Sequence, residues 1–396
     1  MNRPSLSTGL TVLMAFATGA SVANLWYNQP LLSLIGRTYH VGFSAAGSVA
    51  MVTQIGYALG LFAYVPLADL VERRRLIVVL LLLTAGASLL VAVSPTFWWL
   101  ESASIVLGTV TVVPQIIVPV AADLANTEHR GRIVGIVMSG LLIGVLGART
   151  VSGWIGGALG WQAVYVFGAA LMLILALLVQ WKFPITHPIA QKTTYGAVLR
   201  SIIPLMQQEP ELNRASVTGG ALFGAFNAFW TTLTFRLGVS PYHFNAALIG
   251  MFGLLGIAGA SMAPLAGRLA DRQDPRRLVS FSIAMVIAAF VWLAWFNSIL
   301  WGLILGILAL DLAVQSGQIS NQARIYALRS DARARLNTVY MGFYFIGGSL
   351  GAGLGSWAWD HWRWNGVTVV ALSFLLLAVL VHIQSLRKHR IHRDLA

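Results

Sequence analysis

The chain has 396 residues, of which 57% are hydrophobic and only 10% charged, and its formal net charge is +13. A soluble domain carries about 25% charged residues, so a water-soluble globular protein is excluded. Cysteine is absent, which removes disulfides, thiolate chemistry and Cys-ligated metal, and no residue cluster calls for a metal or a cofactor.

The apolar runs are about 20 residues long, enough to cross a hydrocarbon core of about 30 Å. Spans are expected at 8–30, 44–65, 76–94, 98–122, 131–153, 162–181, 214–236, 244–266, 277–297, 299–322, 335–357 and 366–385. The fold class is an all-α membrane protein with twelve transmembrane helices. With both termini in the cytoplasm, 22 of the 26 Lys and Arg fall on the inner side, and only Arg37, Arg149, Arg236 and Arg363 do not. That is the positive-inside pattern. The basic balance therefore reports topology, not a nucleic-acid surface, and the tail from Arg387 can meet anionic lipid heads. Residues 1–23 look like a signal peptide, but the even span count requires them as the retained first span.

In chain order, Asn24, Tyr27 and Asn28 are spaced i, i+3, i+4 and should share one face at the end of the first span. The second span carries Gln54 and Tyr57. The third is almost purely Leu, Val and Ala and should face lipid. The fourth holds Glu101, Pro114, Gln115 and Asp123. The fifth is rich in glycine, which lets helices approach closely, and carries Arg149. Residues 182–213 are polar, with a short surface helix expected at 197–208. The seventh span presents Asn227, Trp230, Thr231 and Thr234, and the eleventh Asn337, Tyr340 and Tyr344. Trp98, Trp99, Trp161, Trp181, Trp301, Trp359 and Trp362 read as interface anchors.

The charged stretch Val65–Arg75, VPLADLVERRR, returns 202 residues later as Gly267–Arg277, GRLADRQDPRR. An offset of 203 also pairs Arg130 with Arg333, Met138 with Met341, Gly144 with Gly347 and Trp154 with Trp357. The chain is therefore expected to hold two parallel six-helix halves, 1–181 and 214–396, joined by a cytoplasmic linker at 182–213. Such a repeat implies a binding site near the bilayer midplane.

These residues resemble the major facilitator superfamily. Its loop signature, Gly-x-x-x-Asp-(Arg/Lys)-x-Gly-(Arg/Lys)-(Arg/Lys), is met in the first copy by Asp69, Arg73 and Arg74. In the second it is met by Gly267, Asp271, Arg272 and Arg276. Gly135, Gly144 and Gly153 fit the superfamily's exporter signature, with Ala148-Arg149 in place of Gly-Pro. Gln29-Pro30 and Trp364-Asn365-Gly366-Val367 look like the arabinose-efflux-permease-like branch of the drug–proton antiporters. The resemblance implies a major facilitator fold. It also implies a cytoplasmic gate in which Arg73 pairs with Asp123, Asp69 approaches the eleventh span, and Asp271, Arg272 and Arg276 form the second copy. Ser104 stands where many proton-coupled relatives carry an arginine four residues before a glycine.

Asp311 lies about twelve residues into the tenth span, roughly 18 Å deep. A carboxylate there is costly when ionised and should readily take a proton, so it is the candidate proton-coupling group, or else a polar lock between helices. Gln315, Gln318 and Gln322 continue its face. Glu101 and Arg149, each one turn inside the outer end of its span, could form an ion pair; alternatively Arg149 faces the cavity. The candidate substrate-binding set is Asn24, Tyr27, Asn28, Gln54, Gln115, Asn227, Trp230, Gln315, Gln318, Tyr340 and Tyr344. The expected function is secondary active transport, most readily proton-coupled efflux of a small organic compound, by a monomer in the inner membrane. The alternatives are an uptake carrier or uncoupled facilitator, and a non-transporting receptor or scaffold. No catalytic residue set is present, so no enzyme activity is expected.

Overall fold

The computed structural model describes residues 7–126, 129–185, 194–256, 274–329 and 332–394. Among them all regular structure is helical. The long elements are α1 (Thr8–Ala23), α2 (Leu32–Tyr39), α3 (Phe43–Tyr64), α4 (Arg73–Ala92), α5 (Phe97–Val110), α6 (Val113–Leu124), α7 (Arg130–Leu159) and α8 (Trp161–Lys182). The linker carries α9 (Tyr195–Arg200) and α10 (Ile202–Gln208), in place of the single helix expected there. Then come α11 (Pro210–Gly238), α12 (Ala246–Met251), α13 (Pro275–Phe296), α14 (Leu300–Tyr326) and α15 (Arg333–Asp394).

Eight described helices are long and apolar enough to cross a membrane. The twelve spans differ from those eight for physical reasons. α15 holds two spans, separated where Arg363 leaves helical geometry at φ 52° and ψ −140°. α1 has only 16 regular residues, α11 is too polar along its length, and the eighth span is described only at its start. The outward faces support membrane residence. α4 exposes Leu82, Leu83 and Leu89, and α8 exposes Phe167, Ile174 and Leu177. Lipid, not water, suits such surfaces.

The fourth span is not one helix, contrary to expectation. It breaks between α5 and α6 at Thr111 and Val112. Pro114 has no N–H to donate to the Val110 carbonyl of the preceding turn, and that carbonyl accepts from the Thr84 hydroxyl of α4 at 3.3 Å instead.

The chain divides into two compact units. The first comprises Met1–Tyr39, Val52–Leu199 and Asn245–Leu254; the second comprises His40–Met51, Arg200–Phe244 and Leu255–Ala396. In the first, α1 lies on α7 with Gly19 against Gly140 and Gly144. In the second, α11 lies on α15 with Gly220 against Gly347. Gly144 and Gly347 are partners in the sequence repeat, and each meets the backbone of the partner helix where no Cβ would fit. The first two turns of α3 belong to the second unit, where Ser44 N–H bonds Asp360 at 3.2 Å and Ser349 bonds the Met51 carbonyl at 3.0 Å. α12 belongs to the first, where Thr150 bonds the Gly250 carbonyl at 3.0 Å.

Two expected interface anchors are instead core residues. Trp161 is buried with its indole N–H on Thr38 at 3.1 Å, and Trp359 is buried beside Phe43, Phe235 and Trp364. Trp98, Trp181 and Trp301 are exposed, as an anchor must be. An indole near a span end reaches lipid only if its helix face does.

Candidate functional site

In the second unit, Asp311 sits on α14 with 2% of its surface exposed. Gln315 and Gln318 follow on the same helix and are half-buried. Tyr344 of α15 donates to Gln318 at 3.1 Å, and Gln322 donates to Asn337 at 3.4 Å. The polar face of the tenth span thus meets that of the eleventh, about two and three turns beyond Asp311. Tyr344 stacks on Phe223 of α11 with centroids 3.8 Å apart and planes 16° from parallel. Tyr340 is buried on the same face of α15, against Gly219 of α11. Asn227 and Trp230 lie in the part of α11 that is buried on every side. The seventh, tenth and eleventh spans therefore place seven of the candidate residues in one unit.

The first unit departs from the expected pattern. Asn24, Tyr27 and Asn28 do not share a face, because α1 ends at Ala23 and the chain tightens. Asn24, Leu25 and Trp26 bond back to Ser21, Val22 and Ala23 at i−3. With about three residues per turn, Asn24 and Tyr27 eclipse while Asn28 points elsewhere. Asn24 and Tyr27 abut Gly168 of α8, and Asn24 also accepts from Ser88 of α4 at 3.5 Å. Asn28 donates to Thr53 of α3 at 3.2 Å. Gln54 is buried on α3. Gln115 of α6, placed by the break in the fourth span, donates to Tyr57 at 3.2 Å.

Arg149 is 2% exposed on α7. Its Nε donates to Gln29 at 2.7 Å, and its guanidinium lies 5.0 Å from the Trp26 ring centroid. Glu101 lies half-buried on α5. The sequence signal for the Gln29 contact was available: an amide placed just before Pro30 by a tightened turn.

At the ends of the helices, Arg73 donates to Asp123 at 2.6 Å and to Asp69 at 3.3 Å. The bond from Arg73 to Asp123 is the pairing that the resemblance implied. Asp271 and Arg272 lie outside the described residues. Arg276 joins a cluster that sequence reasoning missed. Glu211, at the start of α11, takes ion pairs from Arg324 at 2.7 Å, Arg276 at 3.3 Å and Arg214 at 3.5 Å. Ser385 adds a hydroxyl at 2.8 Å. Burial pushes the Glu211 carboxyl up, but Arg324, Ser385 and Arg276 outweigh it and hold the carboxyl below its ordinary range. Arg276, Arg324 and Ser385 lie far from Glu211 in the chain, and each arginine reads alone as a topology charge.

Comparison with known proteins places these features in a family. The profile of the Major Facilitator Superfamily matches residues 13–324. The putative uncharacterized transporter YgaY of Escherichia coli (strain K12) is 39% identical over 386 residues, covering 96% of this chain and 97% of YgaY. The probable transporter SCO4007 of Streptomyces coelicolor (strain ATCC BAA-471 / A3(2) / M145) is 35% identical, covering 92% of this chain and 85% of that one. Among solved structures, the nucleoside transporter NupG superposes with a TM-score of 0.72 at 16% identity, covering 96% of this chain and 98% of that one. A bacterial homolog of the human lysosomal transporter Spinster, inward-facing and occupied, gives 0.71 at 14% identity, covering 97% of each chain.

Proposed function

We propose that this chain, which belongs to the Major Facilitator Superfamily, is a secondary active transporter that exports a small organic compound against proton entry by alternating access. One observation carries the coupling: a carboxyl, Asp311, buried within a transmembrane helix and continued by an amide face that meets tyrosines of the eleventh span. A buried acid is costly to keep ionised in a membrane, so its proton occupancy can follow the side to which it has access. The aromatic and amide groups of α11, α14 and α15 suit an amphipathic or sugar-like molecule. Asp69, Arg73 and Asp123, with the second hairpin copy, serve as the inner gate.

The test uses purified protein in liposomes with an imposed pH gradient, with ethidium and labelled arabinose as probes of the two substrate chemistries. Proton-coupled export predicts accumulation that follows the gradient and collapses with a protonophore. Movement that ignores the gradient would favour the second reading, an uncoupled facilitator. Ser104, where coupled relatives carry arginine, is the observation behind that reading; it is buried on α5.

The proposed setting is a monomer in the bacterial inner membrane with both termini in the cytoplasm. Because the chain has no cysteine, single cysteines report its orientation. An impermeant maleimide added to intact cells should label His361→Cys and spare Thr194→Cys. The reverse pattern would overturn the orientation.

A further inference from the structure

The Glu211 cluster has more donors than the protein's described acceptors satisfy. Three guanidiniums, from Arg214, Arg276 and Arg324, share one carboxylate. Including their sequence neighbours Arg277, Glu209 and Asp274, four arginines stand near three acids in the chain, and one Asp274 carboxylate oxygen accepts from the Arg276 backbone N–H at 2.9 Å. Among the described residues, the Nε atoms of Arg276 and Arg324 are buried without a hydrogen-bond acceptor. A buried donor left unmet is costly, more so when charged, and a bound water or ion is one way such a group is satisfied in folded proteins. The Arg324 side chain is 4% exposed and forms the floor, while Arg214 at 17% and Arg276 at 21% leave the rim open. Two helices begin here, α11 of 29 residues and α13 of 22, and their N-terminal dipoles add positive potential.

We propose that this cluster is an anion site that takes a phosphate group, with Arg214 and Arg276 as its principal ligands. Guanidiniums match phosphate through paired N–H bonds, and Glu211 gathers the three arginines at one place by offsetting their mutual repulsion. The helix ends that build it lie at one membrane face. The phosphate is therefore either that of an anionic phospholipid headgroup or a free one from the adjoining solution.

The full-length protein distinguishes these sources. Thermal unfolding is followed by intrinsic tryptophan fluorescence in detergent, with inorganic phosphate against chloride at matched ionic strength. It is also followed in nanodiscs of phosphatidylcholine alone against phosphatidylcholine with phosphatidylglycerol. The wild type should unfold at a higher temperature with phosphate if the site takes the free ion, or only with phosphatidylglycerol if it takes a headgroup. Each response is compared with the same protein's own baseline, so a less stable variant remains informative. Arg276→Gln and Arg214→Gln should each weaken the response by about tenfold in concentration, the loss of one charge-assisted bond pair. No response beyond matched chloride and neutral lipid, or variants that respond like wild type, would overturn the proposal.

Discussion

Glu211→Ala is expected to destabilise the folded protein by about 3 kcal/mol or more, the cost of removing one partner from a buried charge pair. The carboxylate joins four segments. It lies on α11 and receives Arg276 from α13, Arg324 from α14 and the Ser385 hydroxyl from the second arm of α15. Without it, Arg324 keeps only Asn321 at 2.8 Å and Ser385 at 2.9 Å, both neutral, and a guanidinium with 4% exposure stays charged. Glu211→Gln should recover part of the loss, because an amide oxygen still accepts from Arg324. The pH dependence follows from the direction of the Glu211 shift. A carboxyl held below its ordinary range contributes stability that is fully present above the unfolded value and is lost as pH falls through the folded one. Unfolding midpoints of the wild type should therefore not change through this group between neutrality and about pH 5 and should fall only in stronger acid. Thermal unfolding of wild type and both variants checks it. A midpoint in Glu211→Ala equal to wild type would show that the arginines find other anions.

The sequence made the membrane spans and the two-fold repeat readable because both rest on long-range averages of hydropathy and on residues that recur at one offset. The Gly144 and Gly347 pairing carried directly into helix contacts, since a missing side chain has the same consequence in each half. Local geometry was less readable. Asn24, Tyr27 and Asn28 look like one helical face until the backbone tightens to three residues per turn. Pro114 was visible, yet whether a proline kinks or breaks a membrane helix depends on which neighbour satisfies the freed carbonyl, here Thr84 on Val110. Trp161 and Trp359 read as anchors because depth along the membrane is written in the sequence, whereas the azimuth of a side chain is set by packing. The Glu211 cluster was hidden for a related reason. Positive-inside topology already accounts for each arginine singly, so only their convergence on one acid in space reveals a second role.

Asp311→Asn is expected to abolish accumulation driven by a pH gradient while sparing exchange of substrate down its own gradient. One pH unit supplies about 1.4 kcal/mol per proton, roughly a tenfold accumulation for one proton per substrate. An amide carries no titrating proton, so that factor should fall to about one. The substitution keeps size and polarity, and the helix contact does not depend on this residue alone. Gln318 with Tyr344 and Gln322 with Asn337 hold α14 to α15 about two and three turns beyond, and the Phe223 and Tyr344 rings seat α11 against them. The folded protein should therefore survive, with an unfolding midpoint near that of wild type. That outcome separates coupling from a structural lock, because a lock predicts a lowered midpoint and proportionate loss of both transport modes. Tyr344→Phe supplies the converse case. Removing the hydroxyl that Gln318 accepts should cost about 1 kcal/mol of stability and leave gradient-driven accumulation in place. Accumulation retained in Asp311→Asn would move the proton to another group, and loss of coupling in Tyr344→Phe alone would place that group on α15.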